Sequence, residues 1–206
     1  MTKTEFPPSI ISRPVYGELQ PRRGGLHVVI ADGEGAVAVT ALFAKAGSDA
    51  TEMLAKSHIL YTAGPNGTDQ WGRIAALQAA QAQRAASIPT LLFRFARVLQ
   101  DATMGTQFYL AGTEGLIGQV ERDIMAFGFP HLALQKEHRG STVRRVQCVH
   151  CKGITENVRT DPFQCSHCGL HLFVRDHYSR RLAAFQGVNI DAEEKGHIPA
   201  AVERFQ

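Results

Sequence analysis

Cysteine is scarce in this chain of 206 residues: there are four, all between positions 148 and 168. A secreted scaffold held by disulfides would scatter its cysteines along a shorter chain, so two close pairs exclude that class. They point instead to a metal site in a reducing compartment. Long hydrophobic runs are missing too. None approaches the roughly 18 residues that span a bilayer, and residues 1–12 lack a basic flank followed by an apolar stretch, so no signal peptide is expected. There are no repeats and no low-complexity tracts. What remains is a soluble, cytoplasmic globular protein, whose 44% hydrophobic and 20% charged residues suffice for a buried core.

Acidic residues are sparse in one stretch. Between Arg139 and Arg181 eight Lys and Arg face three Asp and Glu, a net +5, whereas the remainder has fourteen against sixteen, a net −2. Such a stretch is either a solvated basic face or a site for an anionic partner.

Pro7, Pro8, Pro14 and Pro21, with Gly24 and Gly25, make residues 1–25 an extended arm. Strands and helices then alternate. Strands are expected over 26–31, 57–63, 89–95, 106–111 and 131–135, with a turn at Gly64–Gly67, and helices over 36–46, 74–86 and 116–127, the last ended by Gly128. That alternation implies an α/β domain over 26–137, an open, mostly parallel sheet with helices on both faces. The polar segment 138–147 reads as a linker, 148–188 as a metal ribbon with a recognition tail, and 189–206 as a C-terminal tail.

Cys148, Cys151, Cys165 and Cys168 follow the spacing C-x2-C-x13-C-x2-C. Each C-x2-C pair forms a tight turn with both sulfurs on one side, and two such knuckles supply a closed four-thiolate tetrahedron. Gly153 and Gly169 follow the knuckles, where a tight turn needs relief. The short insert favours one zinc ion of structural role, with mononuclear iron as the alternative. His150, His167 and His171 are nearby but surplus to a full shell.

The phrase Gly105 to Ile117 (GTQFYLAGTEGLI) resembles a signature of the pyridine-nucleotide domain of ferredoxin reductases, in which a strand leads through Cys-Gly-Pro into a helix. Strand 26–31 with Gly33 and Gly35 is similar to that family's first strand and phosphate-binding turn. Ala111 replaces the family's cysteine and Thr113 its proline, and Asp32 and Glu34 would repel a pyrophosphate. Only 25 residues precede the first strand, too few for a flavin-binding barrel. Gly33 and Gly35 are therefore expected to be a vestigial turn on a scaffold, with no flavin or haem on this chain.

Behind the cysteines runs His171 to Val188, which includes the phrase His177-Tyr178-Ser179-Arg180-Arg181-Leu182. This tail and the ribbon resemble the small, non-oxygenase subunit of dimethylamine monooxygenase, a family that joins a reductase-like domain to a cysteine ribbon. The resemblance implies an NADPH- and oxygen-dependent complex that converts dimethylamine to methylamine and formaldehyde. Its partners would be a haem-bearing oxygenase subunit and a flavin/iron–sulfur reductase subunit, with an accessory role for this chain. His177, Tyr178, Arg180 and Arg181 are the candidate partner-binding residues. The alternatives are a stand-alone nucleotide-binding or rubredoxin-like electron-transfer protein, and a nucleic-acid-binding zinc ribbon, against which the lack of interleaved aromatics argues.

Overall fold

Leu26–Asp32 (β1) is buried from His27 onward, on both faces of the strand. Such a continuous apolar run belongs at the centre of a parallel sheet. The computed structural model, which describes residues 12–65 and 68–206, shows that arrangement. Ser57–Thr62 (β2), Gln81–Ala85 (β3), Thr106–Gly112 (β4) and Leu134–His138 (β5) complete a five-stranded parallel sheet of order β3-β2-β1-β4-β5. Val29 and Ala31 face Gly35–Ala46 (α1), Ala50–Ala55 (α2) and Trp71–Ala75 (α3). Val28 and Ile30 face Ile88–Asp101 (α4) and Glu114–Phe127 (α5). The sheet thus lies between two helical layers and has a core on each side. Gly128, left-handed at φ 101°, ends α5 as expected.

Two expected elements are corrected. The helix expected over 74–86 is the short α3 and then β3, and the strand expected over 89–95 is α4. Gln81–Ala85 is built of helix formers, yet it pairs with β2 from His58↔Gln81 to Thr62↔Ala85. An edge strand needs only one ladder, so tertiary pairing overrides weak local propensity. In α4, Leu91, Phe95, Val98 and Leu99 are buried at helical spacing, a period that a seven-residue window misses. Ser87 caps this helix by accepting from the Thr90 N–H at 3.3 Å, and Pro89 sits in its first turn. The last strand also begins later than expected, because His131–Ala133 is a 3-10 turn.

The chain divides into two compact units, Tyr16–Ser141 and Thr142–Gln206 with residues 12–15. Residues 1–11 of the expected arm, and Asn66 and Gly67 of the expected turn, lie outside the described residues. Within the first unit the arm runs along the outer edge of β5. Gly17 N–H donates to Lys136 at 3.0 Å and Leu19 N–H to the Glu137 carboxylate at 2.8 Å, while the Leu19 side chain is fully buried. That covers an otherwise open sheet edge.

The second unit is a mixed sheet of order β7-β6-β11-β10-β9. Its strands are Arg144–Cys148 (β6), Ile154–Val158 (β7), Phe163–Gln164 (β9), His171–Ser179 (β10) and Ala184–Asn189 (β11). A small ladder joins Thr160–Asp161 (β8) to Val202–Glu203 (β12). The segment 138–147, read as a linker, therefore contains the end of β5 and most of β6. The segment 189–206, read as a tail, returns to pair with β8 and buries Phe205 in the ribbon core. Arg144, 5% exposed, explains this return: its guanidinium lies 4.0 Å from the Phe185 ring centroid and 4.3 Å from that of Phe205. It also pairs with Asp176 at 2.7 Å, so a cation is stabilised by two ring faces and a carboxylate. No helix among the described residues is long and apolar enough to cross a membrane.

Candidate metal centre

The two cysteine knuckles repeat one backbone pattern. Cys148 N–H donates to Gly153 at 2.9 Å and Lys152 N–H to Cys148 at 3.0 Å. In the second knuckle Cys165 N–H donates to Leu170 at 2.9 Å and Gly169 N–H to Cys165 at 3.0 Å. The residue four beyond the first cysteine is left-handed in both, Lys152 at φ 63° and Gly169 at φ 76°. Lys152, and not Gly153, is thus the counterpart of Gly169. Aligning the two knuckles in the sequence places Lys152 opposite Gly169, the signal that a search for glycine alone passes over. Gly153 is required for another reason: a Cβ there would lie 2.4 Å from Cγ of His167.

These turns gather four sulfurs into one cluster. The Sγ atoms of Cys148, Cys151, Cys165 and Cys168 all lie within 4.8 Å of one another. Cys148–Cys168 and Cys151–Cys165 are 3.8 and 3.7 Å apart. An ion about 2.3 Å from each of four tetrahedral thiolates sets the sulfurs about 3.8 Å apart, so the donor set has the size and chemistry to hold one metal ion. Burial works against ionisation of Cys165, but the N–H groups of Cys168 and His167 and the neighbouring sulfurs bring its pKa down to about 6. For Cys168 the Leu170 N–H favours the thiolate, yet desolvation and the three other sulfurs push it up to about 12. His167 bonds through Nε2 to the Ile154 carbonyl at 2.9 Å, linking the second knuckle to β7, and His150 is exposed.

The remaining expected site residues separate. Gly33 and Gly35 lie at the carboxyl ends of β1 and β4, where the strand order reverses and open α/β sheets bind ligands. Here Asp32 is buried and accepts from the Thr113 N–H at 2.7 Å and the Thr113 hydroxyl at 2.6 Å. Burial raises its pKa from 3.8 to about 6 against those two hydrogen bonds. Gly35 serves close packing, because a Cβ would meet the Ala111 carbonyl oxygen at 2.2 Å. Tyr16 donates to Glu114 at 2.9 Å beside the same helix end.

Among the candidate partner-binding residues, Tyr178 is corrected. It is 6% exposed and packs edge-on against Phe185 at 5.0 Å, so it is a core aromatic and no surface anchor. Tyr178 keeps the alternation of Leu172 and Val174 across the β-bulge between Arg175 and Tyr178, and Ser12 holds that bulge by accepting from the Tyr178 N–H at 2.9 Å. His177, Arg180 and Arg181 are exposed.

A parallel α/β sheet in one unit and a four-cysteine ribbon in the other define a two-part protein, an α/β domain of reductase-like fold joined to a module whose clustered sulfurs could hold one metal ion. The chain belongs to the family of dimethylamine monooxygenase subunit DmmA-like proteins, whose N-terminal domain matches residues 8–134 and whose C-terminal domain matches residues 145–188. It is 30% identical over 108 residues to the heme-dependent oxidative N-demethylase delta subunit of Ectopseudomonas mendocina (strain ymp), covering 52% of this chain and 62% of that one. The match thus spans less than two thirds of the relative. Among solved structures it is similar to the ferredoxin reductase of carbazole 1,9a-dioxygenase (17% identity, 58% of this chain and 34% of that one, TM-score 0.41). Phthalate dioxygenase reductase is a second (18% identity, 71% and 46%, TM-score 0.43).

Proposed function

We propose that this chain is the accessory, non-oxygenase subunit of a cytoplasmic, NADPH-dependent monooxygenase complex that oxidatively demethylates dimethylamine to methylamine and formaldehyde. The observation that carries this reading is that both units of the chain match one family of monooxygenase subunits. The similarity to a subunit of a haem-dependent N-demethylase supports it. The partners are a haem-bearing oxygenase subunit and a flavin/iron–sulfur reductase subunit.

In this role Cys148, Cys151, Cys165 and Cys168 hold one zinc ion, which with four thiolates is redox-silent and leaves no open position for substrate. The thiolates tie the two knuckles of the ribbon together and fix the sheet edges behind them. The α/β unit acts as a scaffold: Asp32, already satisfied by Thr113, occupies the switch point where a ligand anion would need to sit. Substrate oxidation and hydride acceptance then belong to the partners.

Reconstitution tests the reading. The oxygenase and reductase subunits, with and without this chain, are assayed for NADPH-dependent formaldehyde release from dimethylamine. The expected outcome is full turnover only when the chain is present, with no NADPH oxidation by the chain alone. Equal turnover in its absence would refute the subunit role. Elemental analysis of the purified chain is expected to give one zinc and a colourless protein; one iron with visible thiolate charge-transfer bands would instead support an electron carrier.

A further inference from the structure

The ribbon sheet has one face packed on its core and one turned to solvent. Leu172, Val174, Tyr178, Phe185 and Val146 lie on the packed face. The opposite face follows from the pairing register, since residues directly opposite in a sheet share a side. Phe173, 36% exposed, is opposite Val188. Arg175 is opposite Gln186, which is in turn opposite Gln147. At the end of this face the turn between β10 and β11 carries Arg180 and Arg181. Arg145 holds that turn by donating to the carbonyls of Leu182 and Ala183.

Charge on this side is not balanced from within. The two carboxylates on the strands of this sheet are already committed: Glu156 to Arg145 at 2.7 Å and Asp176 to the buried Arg144 at 2.7 Å. Arg175, Arg180 and Arg181 have no ion pair among the described residues, and His177 is exposed on the bulge beside them. An aromatic, an aliphatic and two amides, with one arginine on the face and two in the turn at its end, form a surface of interface composition.

We propose that this face, built from Phe173, Arg175, Gln186, Val188, Arg180 and Arg181, docks an acidic protein surface on a partner subunit. The proposal rests on the subunit reading above and adds to it the location and the charge of the contact. Guanidiniums on a rigid sheet and a pinned turn suit bidentate pairing with carboxylates, and the Phe173–Val188 strip supplies the dry centre that lets such pairs strengthen. Like-signed arginines also repel wrong partners and speed encounter with an acidic one. A nucleic acid is disfavoured because Phe173 is the single aromatic on the face, too few for successive base stacking.

The test uses the full chain with its metal bound and the haem-bearing oxygenase subunit, with affinity measured by interferometry at 50 and 300 mM salt. The variants are R175E/R181E and F173S, with R94E on the α/β unit as the control; metal content and melting temperature verify that each variant is folded. The expected result is binding that weakens with salt, weakens about 100-fold or more in R175E/R181E and about tenfold in F173S, and is unchanged in R94E. Binding by the wild type that R175E/R181E leaves intact would overturn this face while the subunit reading stands. Absence of wild-type binding to the oxygenase and to the reductase subunit alike would overturn both. Tighter binding to a single-stranded oligonucleotide than to either subunit, lost in R175E/R181E, would replace the protein partner with nucleic acid and overturn the proposal.

Discussion

Asp32 and Thr113 form a closed pair at the switch point of the parallel sheet: both carboxylate oxygens of Asp32 are engaged, one by the Thr113 N–H and the other by its hydroxyl. Gly112 makes this possible, because a Cβ there would lie 1.8 Å from Asp32 Oδ1. A carboxylate held between a strand end and the first turn of α5 fills a position suited to a ligand anion.

The first prediction concerns pH. The folded pKa of Asp32 is raised from 3.8 to about 6, so the folded state holds this proton more tightly than the unfolded chain. Its contribution to stability is fully present below pH 3.8 and is lost as pH rises through about 6. A shift of that size corresponds to about 3 kcal/mol lost at neutral pH. Asp32→Asn keeps an acceptor for the Thr113 N–H and abolishes the titration. Melting temperatures between pH 4 and 8 should therefore fall less steeply in the variant than in the wild type. Identical slopes would show that Asp32 does not titrate in this range.

The second prediction follows from the same pair. The isolated chain should not bind NADPH with low-micromolar affinity, because Asp32 occupies the anion position and Glu34 adds a second carboxylate beside it. Calorimetric titration measures this directly. Replacing both by Ser should improve affinity if it changes it at all; a wild-type dissociation constant of a few micromolar would count against the scaffold role.

Metal removal is the third. Cys165→Ser, or a strong chelator, should abolish stoichiometric metal binding and unfold the ribbon, since so small a core depends on the ion. The α/β unit has its own two cores and should keep its melting transition, reported by Trp71 fluorescence. Full metal content in Cys165→Ser would remove that residue from the ligand set.

The fourth separates the two positions of the first knuckle. Lys152→Gly relieves a left-handed lysine and should stabilise the ribbon by about 1 kcal/mol. Gly153→Ala drives a methyl group into His167 and should destabilise it by about 1–3 kcal/mol. Denaturant unfolding of the metal-bound variants checks both, and opposite signs are the expected result.

The clustering of the four cysteines was legible in the sequence because their spacing is local: C-x2-C forces two sulfurs together whatever surrounds it. The central strand β1 and the helix α5 were legible for a similar reason, as a continuous apolar run and a helical period with a glycine stop. Local pattern failed where the partner decided. Gln81–Ala85 is a strand because β2 offers it a ladder, and Pro89–Phe95 is helical because its apolar period extends to Val98 and Leu99 against the sheet. Tyr178, expected at the surface, is inside because it shares the strand alternation of Leu172 and Val174, and Phe185 on β11 packs against it. The pairing of Asp32 with Thr113, 81 residues away, and the enclosure of Arg144 by Phe185 and Phe205 have no local signature at all. Each is a contact between distant segments, stabilised by desolvation and charge that exist only once the chain has folded.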